Sequence, residues 1–383
     1  MLSHDHLLFD RIDRSLGTFA LFGDLAGLSR EKIAQMFASH NFREVARDSL
    51  SAKAVWVSVD EWNCARYDKS SFSLRCRAKN VLDYDSCTII SNKMYLHASV
   101  ARHMPSVYAY HFARTWPLAE LKYPQDHDFA VIIRVAGTGY PRNHEVRIAA
   151  NARDFARLVA HYRAKYLIDH TIVSEYFTDP YLFIPAGTTD LSRGLKFHLR
   201  MYFLARANGH GIFCDLFGLD KESQNKSVLP RAKILTAKLP YRREDYDNPL
   251  IHDTCACSTA LFFPTHADRI KNADGRALDL PSVAAQLRTI NAALRSLLRF
   301  SDPQHMNGPP ARPYAESDHA FEVFALDIMI VRRYISGMLV DPCVVLLEVN
   351  DRVGYNTPPD ALFDRMQDDF LRWVWSNGYA PCL

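Results

Sequence analysis

Two periods of hydrophobic positions alternate along the chain. Short runs rich in β-branched and aromatic residues predict strands: residues 54–59 (AVWVSV), 87–90, 129–135 (FAVIIRV), 146–150 (VRIAA) and 171–177 (TIVSEYF). Residues 196–205 (KFHLRMYFLA) alternate, and with GIFCDLF beyond Asn208-Gly209 they predict a hairpin. Periods near 3.6 predict helices. Phe155, Leu158, Val159 and Tyr162 stand at i, i+3, i+4 and i+7, with Asn151 as N-cap and Asp154 in the first turn. A second helix starts near Asn92 and ends before Pro105, and a third spans 281–300 with Val283, Leu287, Ile290, Leu294 and Leu297 on one face. Residues 1 to about 50 also read as helical, and a last helix runs from about Pro359 to Trp375. A Pro-rich loop fills 301–318, and no internal repeat stands out. Strands and helices alternating in this way indicate an α/β class.

Two late runs break the apolar rule. FEVFALDIMI (321–330) holds Asp327, and VVLLEVN (344–350) closes on Glu348 and Asn350. Side chains at i and i+2 of a strand share a face, so Glu348 and Asn350 stand side by side. If the runs pair as a hairpin, Asp327 joins them. Unpaired carboxylates in an apolar sheet are costly. Three oxygen ligands on a rigid sheet suit Mg²⁺, which takes its other ligands from phosphates and water. A strand end with an Asn-initiated turn, and a half-exposed Asp327, explain the same residues one at a time.

Composition narrows the class. With 383 residues, the chain is long enough for two or three packed subdomains. Apolar residues make up 48% and charged residues 23%, an ordinary globular balance. A net charge of +3 is no nucleic-acid footprint. No apolar stretch reaches membrane-spanning length. No secretory signal is visible in MLSHDHLLFDRID, so cytoplasmic residence is expected. The eight cysteines form no CxxC, and Cys255 with Cys257 has no second cluster at zinc spacing. His4 and His6 read as part of a frayed terminus.

The pattern of 321–350, with FEVFALDIM and then LLEVN, resembles the terminal signature of the ATP-grasp superfamily, and within it the tubulin-tyrosine-ligase-like family. KFHLR (196–200) resembles that family's K-F-D-x-R, with Lys196 and Arg200 matching and His198 in place of Asp. SEYFTDP resembles the adenine hinge, whose backbone would meet the adenine rim through Glu175, Tyr176 and Phe177. Arg134 stands where the family has an α-phosphate Lys; its fork geometry differs from a point charge. Lys93 resembles the N-K that opens the family's first helix. His252 and Thr254 fall in a region resembling H-L-T-N, with Cys255 in place of Asn. The phosphate loop departs most, because Asn143 to Val146 replace a glycine-rich stretch and glycines sit earlier, at Gly137 and Gly139.

The resemblance covers about residues 50–383. It implies an α+β ATP-grasp fold with the nucleotide cleft between two antiparallel sheets. An N-terminal α/β subdomain (1–122) would precede a central subdomain (123–190) and a C-terminal subdomain with the metal site (191–383). It implies an ATP- and Mg²⁺-dependent amide-bond ligase that adds an amino acid to an acidic protein tail, tubulin-like, through an acyl phosphate. Asp327, Glu348 and Asn350 would hold Mg²⁺. Arg200 would stabilise the transferring phosphoryl group, and Lys196 and His198 would approach the ribose. Arg242-Arg243 and Arg332-Arg333 are candidate receivers of the tail, with solvated surface as the plainer reading. The partners implied are a free amino acid and the protein tail, with the enzyme a monomer and neither nucleic acid nor membrane involved. The altered loop, His198 and Cys255 keep a second reading open, a catalytically silent ATP-grasp fold that binds nucleotide or tubulin. A third is a ligase acting on small molecules or peptides.

Overall fold

A computed structural model describes residues 17–22, 30–45, 54–57, 78–79, 90–119, 130–135, 147–166, 171–208, 211–216, 231–246, 248–252, 254, 261–263, 265–299, 320–350 and 361–376. In chain order its elements are β1 (Gly17–Phe22), α1 (Arg30–Ser39), β2 (Phe42–Glu44), β3 (Ala54–Val57), β4 (Ala78–Lys79), α2 (Lys93–His103), α3 (Pro105–His111), β5 (Thr115–Pro117), β6 (Val131–Val135), β7 (Arg147–Ala149), α4 (Ala152–Lys165) and β8 (Thr171–Glu175). Next come β9 (Leu182–Phe183), β10 (Leu195–Asn208), β11 (Gly211–Leu216), β12 (Ala232–Pro240), α5 (Pro249–His252), β13 (Leu261–Phe263), β14 (Ile270–Lys271), α6 (Leu280–Arg299), β15 (Ala320–Ile335), β16 (Met338–Asn350) and α7 (Ala361–Val374).

The strands make two sheets. The larger runs β13-β12-β10-β15-β4-β3-β1-β2, with β16 paired to β15 and β11 to β10. Its heart, β12, β10, β15 and β16, is antiparallel, whereas β1 to β4 pair in parallel. The smaller sheet, β5-β8-β6-β7, is antiparallel throughout.

Packing obeys the alternation of side chains. On β10, Phe197, Leu199, Met201, Phe203 and Ala205 enter one core with Phe324, Leu326, Ile328 and Ile330 of β15. The predicted stripe of α6 (Val283, Leu287, Ile290, Leu294 and Leu297) covers that face and is fully buried. Each such side chain contributes about 1.5–3 kcal/mol by leaving water. On the opposite face, Tyr202, Leu204, Phe321, Val323 and Ala325 pack with Phe19 of β1, Phe37 of α1, Phe370 of α7 and Trp375 just beyond α7. Further along, Met329, Val331, Cys343 and Val345 form another apolar patch with Phe177. The level between these two patches is polar, and it holds the candidate site.

Local signals place several elements as expected. Asn92 Oδ1 accepts from Met94 N (2.9 Å) and Tyr95 N (3.3 Å), so α2 begins at Lys93. Asn151 caps α4 in the same way, accepting from Asp154 N at 3.0 Å. The β10–β11 hairpin pairs Asn208 with Gly211.

Two expectations fail. The N-terminal region is not simply helical: Gly17–Phe22 is a strand, parallel to β2 and β3, with Phe19 and Leu21 buried. Six residues fit either period, and neighbouring strands decided. Ile90, expected in a strand, is helical and fully buried, while 87–89 lie outside the described residues, as does the loop 301–318.

Candidate active site

Three strands bring the late polar residues to one level. Arg200 of β10 pairs with Asp327 of β15, which pairs with Glu348 of β16. On its other side Arg200 pairs with Lys233 of β12. A rank of Lys233, Arg200, Asp327 and Glu348 therefore crosses four adjacent strands. The register of β16 depends on a bulge: Ile328 faces Leu346, whereas Asp327 faces Glu348, leaving Leu347 extra. A bulge adds one residue to one strand and re-aims the side chains beyond it. Leu346 and Val349 both stay in the α6-side core, while Glu348 and Asn350 turn to the Asp327 face.

The side chains interlock. Arg200 grips Asp327 with Nε to Oδ1 and Nη2 to Oδ2, both at 2.8 Å. Such a two-point fork is the strongest ordinary ion pair. Asn350 Nδ2 donates to Asp327 Oδ2 (3.1 Å) and to Glu348 Oε1 (3.2 Å). His198 Nε2 lies 3.4 Å from Asp327 Oδ1, and its Nδ1 is 2.5 Å from the Thr254 hydroxyl. Glu348 Oε2 meets Lys93 Nζ at 2.9 Å and Arg134 Nη1 at 3.4 Å. Arg134 belongs to the small sheet and also donates from Nη2 to Leu347 O at 3.4 Å, so it spans the two sheets. Lys93, Arg134, His198, Thr254 and Arg200 thus gather around Asp327, Glu348 and Asn350.

Burial works against a charge on Asp327, yet His198 and then Arg200 override it and hold the carboxyl well below the usual carboxylate range. For Glu348 burial and Asp327 oppose ionisation, Lys93 and Arg134 favour it, and the balance leaves the carboxyl below its ordinary value. Both groups are anions. Among the described residues no cluster of three or more His, Cys, Asp or Glu is placed to hold a metal. The candidate set is instead two carboxylates and an amide. Its chemistry fits a hard divalent cation: the Asn350 amide nitrogen already sits between the two carboxylates with its positive hydrogens, and turning that amide presents an oxygen there.

Lys196 is elsewhere on the same strand face. It is buried, with Nζ donating to the Tyr176 hydroxyl at 3.0 Å and lying 4.1 Å from the ring centre. That hydroxyl is 2.6 Å from His252 Nδ1, and His252 Nε2 is 2.6 Å from Asp245 O. The directions are set by the ends of the chain. Nε2 must donate to a carbonyl, so Nδ1 accepts from Tyr176, whose oxygen accepts from Lys196. Desolvation lowers the Lys196 ammonium from 10.5 to about 7.

The hinge residues are arranged differently from the expectation. The Glu175 side chain turns away to Arg333 Nη2 (2.7 Å) and Arg114 Nε (3.1 Å). Arg333 Nη1 donates to Ala109 O and Phe112 O, each at 3.0 Å, so this pair ties β8 and β15 to α3. The N–H groups of Glu175 and Tyr176 go to Arg114 O (2.8 Å) and Ala130 O (2.9 Å). Phe177 is buried, with the Arg333 guanidinium 5.4 Å from its ring centre. The Arg332-Arg333 cluster is therefore no tail receiver. Arg333 is buried, and Arg332 is engaged by Asp179, Asp274 and Asp341. Arg242 and Arg243 are exposed. Gly137, Gly139, Asn143 to Val146 and Cys255 lie outside the described residues.

Two participants escaped the sequence reading. Lys233 was legible as a lone cation in the apolar run AKILT, and burial and then the Arg200 charge bring it from 10.5 to about 7. His97, one turn beyond Lys93, had no signal, because its importance lies in its neighbours. It is buried with neither ring nitrogen in a well-formed hydrogen bond. Burial, then Arg134 and Lys93, lower it to about 3, so it is neutral.

Among solved structures, the C-terminal domain of K. lactis Pby1 matches this chain with a TM-score of 0.61 and 17% identity, over 95% of this chain and 94% of that one. That domain is described as an ATP-grasp enzyme interacting with the mRNA decapping enzyme Dcp2. No protein-family model matches the chain, and no curated protein does. The chain has the ATP-grasp fold, with mixed helices and antiparallel sheets. No helix among the described residues is long and apolar enough to cross a membrane.

Proposed function

We propose that this protein is an ATP- and Mg²⁺-dependent carboxylate–amine ligase of tubulin-tyrosine-ligase-like type, which joins an amino acid to an acidic protein tail. One observation carries the reading: a rank of Lys233, Arg200, Asp327 and Glu348 across four strands, met from the other wall by Lys93 and Arg134. Cations and carboxylates set side by side on a rigid sheet suit a phosphate chain and its counter-ion. Asp327, Glu348 and Asn350 would hold Mg²⁺, which when bound neutralises phosphate charge.

In the reaction, a substrate carboxylate oxygen attacks the γ-phosphorus of ATP, the bond to the β–γ bridging oxygen breaks, and ADP leaves. The amine then attacks the acyl carbon, the acyl C–O bond breaks, phosphate leaves, and the nitrogen gives up a proton, which the departing phosphate can accept. Arg200 and Lys233 offset charge on the moving phosphoryl group, Arg134 and Lys93 orient the nucleotide phosphates, and Lys196 with His198 faces the ribose. The exposed Arg242-Arg243 pair suits an acidic tail. That the K. lactis domain is described as an enzyme that interacts with another protein supports both the activity and a protein partner.

A second reading, nucleotide or tail binding without ligation, is favoured by the full engagement of Asp327 with Arg200 and Asn350. Incubation with ATP, Mg²⁺, an acidic tail peptide and tyrosine, glutamate or glycine in turn separates the two. Mass gain of the peptide with stoichiometric ADP supports the ligase. Magnesium-dependent nucleotide binding with neither product supports the silent fold. Absence of nucleotide binding sinks the ligase and leaves only tail binding, which fails too if the peptide does not bind.

A further inference from the structure

We infer that Lys93 and Arg134 form a charge lock on Glu348 which a polyphosphate anion opens and a divalent cation alone does not. The identity of the anion rests on the proposed ligase function. The two cations come from different places, Lys93 from the first turn of α2 and Arg134 from β6 of the small sheet. Both meet the same oxygen, Glu348 Oε2, at 2.9 and 3.4 Å. The other oxygen, Oε1, accepts from Asn350 at 3.2 Å. Across the ladder, both Asp327 oxygens are held by Arg200 at 2.8 Å. Every carboxylate oxygen of the candidate metal set already has a donor.

Charge makes the consequence specific. Lys93, Arg134 and Arg200 by themselves outnumber Asp327 and Glu348 by three to two, and Lys233 stands beside Arg200. A divalent cation arriving alone must displace an ammonium or guanidinium and then sit among three cations. A polyphosphate gives those cations oxygens of its own. Lys93 and Arg134 exchange Glu348 for phosphate, and Glu348 becomes a ligand for a cation that arrives with the anion or after it. His97 offers the two cations no competing charge, since it is neutral beside them. Arg134 also holds Leu347 O, so the exchange releases a tie between the two sheets. Anion and cation therefore bind with positive coupling, which is reciprocal.

The test is Mn²⁺ alone, titrated into the full chain and followed by the electron-spin resonance of free Mn²⁺. Wild type should bind weakly. Lys93→Met and Arg134→Met should each bind Mn²⁺ more than about tenfold tighter, while binding ADP more weakly. Adding Glu348→Gln to either variant should abolish the gain. Two single variants on separate elements guard against one of them misfolding, and circular dichroism checks both. Equal Mn²⁺ affinity in wild type and both variants overturns the lock. If ADP binds and the Mn²⁺ gain is absent, the lock falls and the functional reading stands. If the gain appears and inorganic triphosphate binds where nucleotide does not, the lock stands and the functional reading falls; if neither anion binds, both fall.

Discussion

Replacing Lys196 with methionine should stabilise the protein at neutral pH and weaken its hold on nucleotide. Lys196 is 4% exposed, and its ammonium meets the Tyr176 hydroxyl and ring. Its displacement from 10.5 to about 7, at 1.36 kcal/mol per pH unit, costs ~5 kcal/mol of folding free energy where the group is fully protonated in both states. Proton counts give the sign. Between pH 7 and 10.5 the unfolded chain binds the proton and the folded one does not, so wild-type stability rises with pH there. Below pH 7 the whole cost is present. Methionine fills a similar volume without the charge. Urea unfolding of both proteins from pH 6 to 10.5 is the assay; other titrating groups cancel in the difference. The variant's advantage should be ~4 kcal/mol larger near pH 6 than near pH 10.5. A variant that is less stable at pH 6, or an advantage that does not change with pH, refutes the reasoning.

Arg333→Met should destabilise by about 2–4 kcal/mol, because it leaves the buried Glu175 carboxylate with the half-exposed Arg114 alone and two carbonyls without their donor; the Arg333→Met/Glu175→Gln double variant should recover part of that in urea unfolding. Asp327→Asn, which breaks the Arg200 fork, should lower ATP turnover by more than about 100-fold in an ADP-release assay run well below the melting temperature, which the lost fork also lowers. Asp327 and Glu348 are both depressed in the folded state. Their stabilising contribution is therefore complete at neutral pH, and it should be lost only as pH falls below the ordinary values of 3.8 and 4.5 through the folded ones, an acid limb that Asp327→Ala shortens. Leu287→Ala, at a fully buried position of α6, should cost about 2–5 kcal/mol by calorimetry and leave Mn²⁺ affinity unchanged.

Chain-local chemistry was legible in the sequence. The stripe of α6, the Asn92 and Asn151 caps and the antiparallel pairing of β10 with β11 depend on neighbours a few residues away, and all stand where the pattern put them. Carboxylates inside apolar runs were equally legible, because a carboxylate among Val, Leu and Ile needs a partner wherever the strand goes. The tertiary structure alone decided who that partner is. Strand pairing is non-local, so nothing near Asp327 announces Arg200, and nothing near Arg200 announces Lys233. The bulge at Leu347 sets Glu348 opposite Asp327, and no residue type encodes that slip. Glu175 looked like a cleft residue until a buried arginine from another strand claimed it. β1 looked helical because six residues satisfy either period, and only its parallel neighbours settled the matter. The residues named the chemistry; the register across strands, which distant segments set together, chose which charges face each other.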